Sequence, residues 1–169
     1  MPARSPSQTV GPYYAIALPW KDGGRVTGCA GERIVLEGRI FDGAGQPVPD
    51  ALVETWQAPD RNASAPADGK PHGFARVSAD ANGLYRIETA MPAGDVPYLD
   101  VIILARGLLK HLHTRVYLAE EARVRGDAAI AAVASAPRLS TLIARKAAAG
   151  EYRWDVRLQG EGETVFFSA

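Results

Sequence analysis

The stretch RIVLEGRIF, residues 33–41, sets Ile34, Leu36 and Ile40 on one side of an extended chain and Glu37 and Arg39 on the other. Side chains alternate between the two faces of a strand, so this period of two marks a strand with one face in a core and the other towards water. The pattern returns at YRWDVRLQ, residues 152–159, where Tyr152, Trp154, Val156 and Leu158 oppose Arg153, Asp155 and Arg157. A half-buried strand must cover its apolar face with a second layer. Strand signals also occur at LVETW (52–56), at FARVSAD (74–80) and GLYRIETA (83–90), and over 98–117 on either side of Arg106-Gly107. In DGAGQPVPDA, Gly43 and Gly45 supply turn geometry and Pro47 and Pro49 fix extended backbone. Asn82-Gly83 is the signal of a tight hairpin.

After Tyr117 the period changes. Asp127 is placed to cap a short Ala-rich helix running to Ala134, and Pro137 suits the first position of a second helix, PRLSTLIARK, over 137–146. Strands, a helical excursion and a closing strand, without a βαβ rhythm, predict a mainly β fold: a β-sandwich with a short helical insertion. One domain is expected over residues 1–169, with an N-terminal arm and loop (1–30), sandwich strands (31–118), the helical insertion (119–149) and closing strands (150–169). Pro2, Pro6, Gly11 and Pro12 keep the first 14 residues extended.

Several functional classes are disfavoured. Nineteen basic residues balance nineteen acidic ones, giving no field for nucleic acid or an anionic membrane, and near-zero charge favours association with other chains. The single cysteine, Cys29, excludes an internal disulfide and a cysteine-based zinc site. No signal-peptide run opens the chain, and Val101 to Ala105 is too short to span a bilayer, so a cytoplasmic location is expected.

PYLDVIILARGLLKHLHTRVY, residues 97–117, carries His111 and His113 at strand spacing, a legitimate metal hypothesis. Lys110 and Arg115 flank the pair, and neither a matched carboxylate nor a third histidine lies nearby in sequence, so a structural role is expected. Trp56, Trp154, Phe166 and Phe167 read as core or interface mass, and Glu161 and Glu163 as part of a turn.

Residues 38–87 follow the pattern of prealbumin-like sandwich modules. Four ordered segments say more: SQTVGPYY (7–14), EGRIFDGAGQPVPDALVETWQA (37–58), ARGLLKHLHTRVYLAEEA (105–122) and RWDVRLQGEGETVFF (153–167) together resemble the intradiol ring-cleaving dioxygenases. The resemblance implies a prealbumin-like β-sandwich and cleavage by O2 of an aromatic diol, here 3,4-dihydroxybenzoate. Catalytic chains of that family hold Fe(III) with two tyrosinates and two histidines, hard anionic oxygens completed by imidazole. The histidines come from a Pro-His-x-His run, and this sequence has PYLD, with Tyr98 and Asp100 at the imidazole positions. No tyrosine follows Trp56-Gln57-Ala58 before Tyr85, and MPAGDVP offers Asp95 and Val96 where the second tyrosine is due. The resemblance therefore implies no catalytic and no metal-ligating residue in this chain, with Fe(III) bound by a partner β subunit in a hetero-oligomer. It implies that Thr9, Gly11, Pro12, Tyr13 and Arg106 line the substrate pocket at the interface. The alternative is a non-catalytic prealbumin-like binding or structural module, which needs neither the arm nor LQGEGETVFF.

Overall fold

A computed structural model describes residues 8–60, 69, 71–130 and 136–167. Its strands are β1 (Arg33–Phe41), β2 (Leu52–Trp56), β3 (Phe74–Ser78), β4 (Leu84–Ala90), β5 (Tyr98–Leu104), β6 (Leu112–Tyr117), β7 (Arg145–Ala148), β8 (Glu151–Arg153) and β9 (Val156–Arg157). Short helices α1 (Tyr14–Ala17), α2 (Glu121–Val124) and α3 (Ala136–Ser140) and a 3-10 turn (Ala128–Ile130) complete the described elements. One sheet runs β4-β1-β8-β7 with β9 also on β1; the other runs β3-β2-β5-β6. The two sheets close on each other as the β-sandwich that the alternating strands predict. Among the described residues no helix is long and apolar enough to cross a membrane.

The predicted inward faces build the core. Ile34, Leu36 and Ile40 of β1 and Tyr85 and Ile87 of β4 meet Val53 of β2, Leu99, Val101 and Ile103 of β5 and Val116 of β6. Each of the large aliphatic side chains buried here contributes roughly 2 kcal/mol relative to exposure. Trp154 and Val156 join this core, while Arg153, Asp155 and Arg157 stay exposed, as the closing alternation requires. A smaller cluster of Tyr117, Val124, Ile130, Leu139, Leu142 and Val165 fixes the 121–144 excursion on the sandwich.

Four local expectations are corrected, the first being the extended backbone through residue 14: the chain turns at Pro12-Tyr13, where proline's fixed φ suits a turn, and α1 begins at Tyr14. Asn82-Gly83 forms a turn, with Gly83 at φ +71°, the Asp80 carboxylate accepting from the Asn82 and Leu84 amides, and Gly83 N–H donating to Asp80 O. It is not a hairpin, because β3 and β4 belong to opposite sheets and the turn carries the chain across the sandwich. The helix expected over 137–146 ends at Ser140. Leu142 and Ala144 instead exchange backbone hydrogen bonds with Tyr117, and β7 follows. The Asp127 cap is present, its carboxylate accepting from Ala129 N–H, but it starts a single 3-10 turn, and residues 131–134 lie outside the described residues.

β1 crosses Trp154 at very close range. A Cβ on Gly38 would stand 1.7 Å from the Trp154 carbonyl oxygen, so only glycine admits this approach. The same carbonyl accepts a 2.6 Å hydrogen bond from the buried Tyr85 hydroxyl. Tyr85→Phe is therefore expected to leave a buried acceptor short of its donor and to cost about 1.5 kcal/mol, measurable by urea denaturation.

Candidate functional site

The N-terminal arm ends in a junction built from three separate parts of the chain. Gly11 adopts φ +73°, a left-handed turn that an L side chain resists, and Pro12 follows at the entry to α1. The turn sends Tyr13 outward, 76% exposed, and Tyr14 inward, 4% exposed. Tyr14 donates its hydroxyl to the Asp50 carbonyl at 3.1 Å and lies 3.3 Å from the Asp50 carboxylate. Asp50, at φ +58°, receives Arg106 Nε at 3.2 Å on its other oxygen. Arg106 sits at the tip between β5 and β6, beside Gly107 at φ +86°. Burial, followed by the adjacent Asp50 charge, pushes the Tyr14 pKa up to about 12, so its hydroxyl remains a donor at neutral pH.

Of the sequence-predicted residues, the fold thus brings the Gly11–Tyr13 turn next to the tip that carries Arg106, while Thr9 and Pro12 are exposed alongside. Tyr14 and Asp50, which make the junction, were not singled out from sequence. The available signals were a second tyrosine after the Gly-Pro turn and an aspartate directly after Pro49, but nothing local pairs them.

The second feature is the outward face of β5. Tyr98 and Asp100 lie on it, while Leu99, Val101 and Ile103 turn into the core. With Trp56, Gln57, Ala58, Pro92 and Ala93 they line a cavity of about 200 Å³. Arg115, paired across the strands with Asp100, places Nε 3.0 Å from the Asp100 carboxylate and its guanidinium carbon 4.3 Å from the centre of the Tyr98 ring. Its Nη1 is 3.5 Å from Asp127, which also accepts a 2.8 Å hydrogen bond from the Tyr117 hydroxyl. Burial opposes the Arg115 charge, but its bonds to Tyr117 and Asp100 outweigh that and raise its pKa above the ordinary value. Burial raises the Tyr117 pKa, so that phenol stays protonated.

These residues do not fit a ferric centre. Asp100 is already bound by a guanidinium, Tyr98 lies beneath the same positive charge, and among the described residues no three His, Cys, Asp or Glu side chains converge. The Arg115 guanidinium, bound to Asp100 and set over the Tyr98 ring, opposes a second cation at these two side chains. Asp100 accepts a hydrogen bond from Arg115, which the sequence offered only as a charge flanking the histidines.

His113 extends from β6 with Nε2 3.5 Å from Asp100 and its ring 5.8 Å from that of Phe167. His111 precedes β6 and is exposed. His72 packs against Gly28. Trp154 is core and donates its indole N–H to Thr141 O at 2.8 Å, whereas Trp56 stacks on Phe74 with ring centres 4.2 Å apart and stays partly exposed. Glu161 and Glu163 fall in a turn closed by Glu163 N–H to Gly160 O.

A protein-family model described as Dioxygenase matches residues 11–99. Over 97% of this chain and 96% of the relative, the sequence is 37% identical to a protocatechuate 3,4-dioxygenase alpha chain from Burkholderia cepacia. Its identity to the protein of the same name from Pseudomonas putida is 34%, over 96% of this chain and 95% of that one. Among solved structures, 3-chlorocatechol 1,2-dioxygenase from Rhodococcus opacus superposes with a TM-score of 0.60 at 20% identity, covering 90% of this chain and 71% of that one, which speaks to the fold. The near end-to-end match to two relatives, on a sandwich shared with ring-cleaving enzymes, settles the family: the chain belongs to the intradiol ring-cleaving dioxygenases.

Proposed function

We propose that this chain is the non-metallated α subunit of a protocatechuate 3,4-dioxygenase and that its arm junction helps form a pocket over the iron of a β subunit. In the overall reaction the bond between the two hydroxylated carbons of 3,4-dihydroxybenzoate breaks and both atoms of O2 enter the product, 3-carboxy-cis,cis-muconate. Intradiol dioxygenases are iron-dependent, and the observation that carries this reading is Arg115, whose guanidinium engages the two side chains standing where the family places its histidines. A chain of this family built in that way needs its iron from elsewhere. The matches to two proteins named as alpha chains, and a 42% identical match over 73 residues to a Burkholderia cepacia protein named as the beta chain, support a homologous partner.

In this reading the junction positions the substrate. Tyr14 and Asp50 anchor the arm, so the left-handed turn at Gly11 holds Thr9, Pro12 and Tyr13 towards the partner with little freedom to lose on binding. Tyr13 offers a ring face and a hydroxyl. Arg106, oriented by Asp50 yet more than half exposed, supplies positive charge for the substrate carboxylate.

In the assembled enzyme, Tyr13→Ala and Arg106→Ala should each lower kcat/KM for 3,4-dihydroxybenzoate by roughly tenfold or more, with iron content unchanged. Arg106→Lys, which keeps the charge but loses the Nε contact to Asp50, should fall between. Unchanged kinetics for both alanine variants in an intact heteromer would remove these residues from the pocket.

A further inference from the structure

A groove of about 740 Å³ opens between the arm, the β5–β6 tip and the C-terminal segment. Its walls are apolar, from Val10, Leu108, Leu109, Leu112 and Phe166, and Lys110 supplies positive charge beside the imidazoles of His111 and His113. Among the described residues no carboxylate lines it. His113 is turned to Asp100, but Lys110 and His111 have no carboxylate partner among the described residues.

We infer that this groove seats an apolar segment of the partner chain that carries acidic side chains; the inference rests on the reading that such a partner exists. Three observations select that occupant. First, large apolar side chains stand proud around the groove: Leu109 is 60% exposed and Val10 42%, with Tyr13 and Ile16 further along the arm. A small molecule sunk in the groove leaves those protruding side chains wet, whereas a packed chain covers them. Second, the uncompensated basic lining calls for carboxylates opposite. A second copy of this chain, docked groove to groove about a twofold axis, would bring the same lining to both sides, Lys110 included and with no carboxylate from the described residues. Third, the groove is continuous with the arm junction, since Val10 lines it directly before Gly11, and Ala105 and Leu108 line it on either side of Arg106-Gly107. One partner surface can therefore engage the arm, the tip and the groove together.

The test uses the purified heteromer. Leu109→p-benzoylphenylalanine, irradiated in the assembled protein, should cross-link to a partner-chain peptide rich in apolar residues and containing Asp or Glu. Cross-linking to another copy of this chain, to a partner peptide without acidic residues, or to nothing would overturn the inference. Lys110→Glu and Leu109→Glu alter exposed side chains, so each variant should fold with an unchanged circular dichroism spectrum. Each should weaken association with the partner by roughly tenfold or more, and Lys110→Glu should also flatten the dependence of association rate on salt. Wild-type affinity in both variants would likewise overturn the groove assignment while leaving the partner reading intact. Failure of the wild-type chain to associate with an iron-bearing partner at all would instead remove the reading beneath it.

Discussion

Arg115→Ala should destabilise the protein by about 2 kcal/mol, somewhat less than the loss expected on breaking a fully buried ion pair because Asp100 is partly exposed. The substitution leaves the Asp100 and Asp127 carboxylates without their shared cation and removes the guanidinium from the Tyr98 ring. Asp127 belongs to the 121–144 excursion and Asp100 to β5, so the loss should loosen the excursion from the sheet as well as weaken the strand pair. A fall in Tm of roughly 4–8 °C is expected for a chain of this size. Arg115→Lys keeps a charge but not the two-sided fork, and should recover only part of it. Adding Asp100→Asn to Arg115→Ala should cost less than the two single changes summed, because the second substitution removes a carboxylate already unpaired. Strict additivity would mean that the guanidinium does not hold this face together. The alanine variant should also gain no iron, because clearing the cation does not supply the two absent tyrosinates.

The second large effect concerns activity. Alone, this chain should consume no oxygen with 3,4-dihydroxybenzoate; mixed with its iron-bearing partner, it should support uptake of one O2 per substrate. The difference should span the whole catalytic enhancement, on the order of a millionfold or more. Oxygen-electrode traces of each chain alone and of the reconstituted pair decide it. Turnover by this chain alone would contradict the division of labour, and turnover by the partner alone at the full rate would assign the arm junction to some other task.

How much of this was legible beforehand varied with the range of the interactions. The alternation at 33–41 and 152–159 identified the inward faces, because half-burial of a strand is written in every second residue. The role of Asn82-Gly83 was not legible to the same degree. Turn chemistry specifies a reversal through Asp80 and a positive φ, but whether the flanking strands pair or separate into two sheets depends on β1 and β2, which are distant in sequence. PRLSTLIARK lost its second half as a helix because Tyr117 supplies backbone hydrogen bonds to 142–144 and Leu139 and Leu142 bury against it, a tertiary preference stronger than the weak local one. At the site, Tyr98 and Asp100 drew notice in PYLD only through the family resemblance, and Arg115 was hidden because the pairing of Asp100 with it is a matter of strand register. The Tyr14–Asp50–Arg106 junction, which joins residues 36 and 56 positions apart in the chain, was likewise out of reach of any local pattern.

The central claim is that the iron belongs to the partner, and elemental analysis of the purified chain and of the assembled enzyme tests it most directly. The chain alone should be colourless and free of stoichiometric iron, since it offers no tyrosinate–histidine set to a ferric ion. The heteromer should hold about one iron for each pair of chains, and both iron and colour should survive His111→Gln with His113→Gln. Stoichiometric iron in the isolated chain, lost on replacing those two histidines, would contradict the account and make the β6 histidines a metal site.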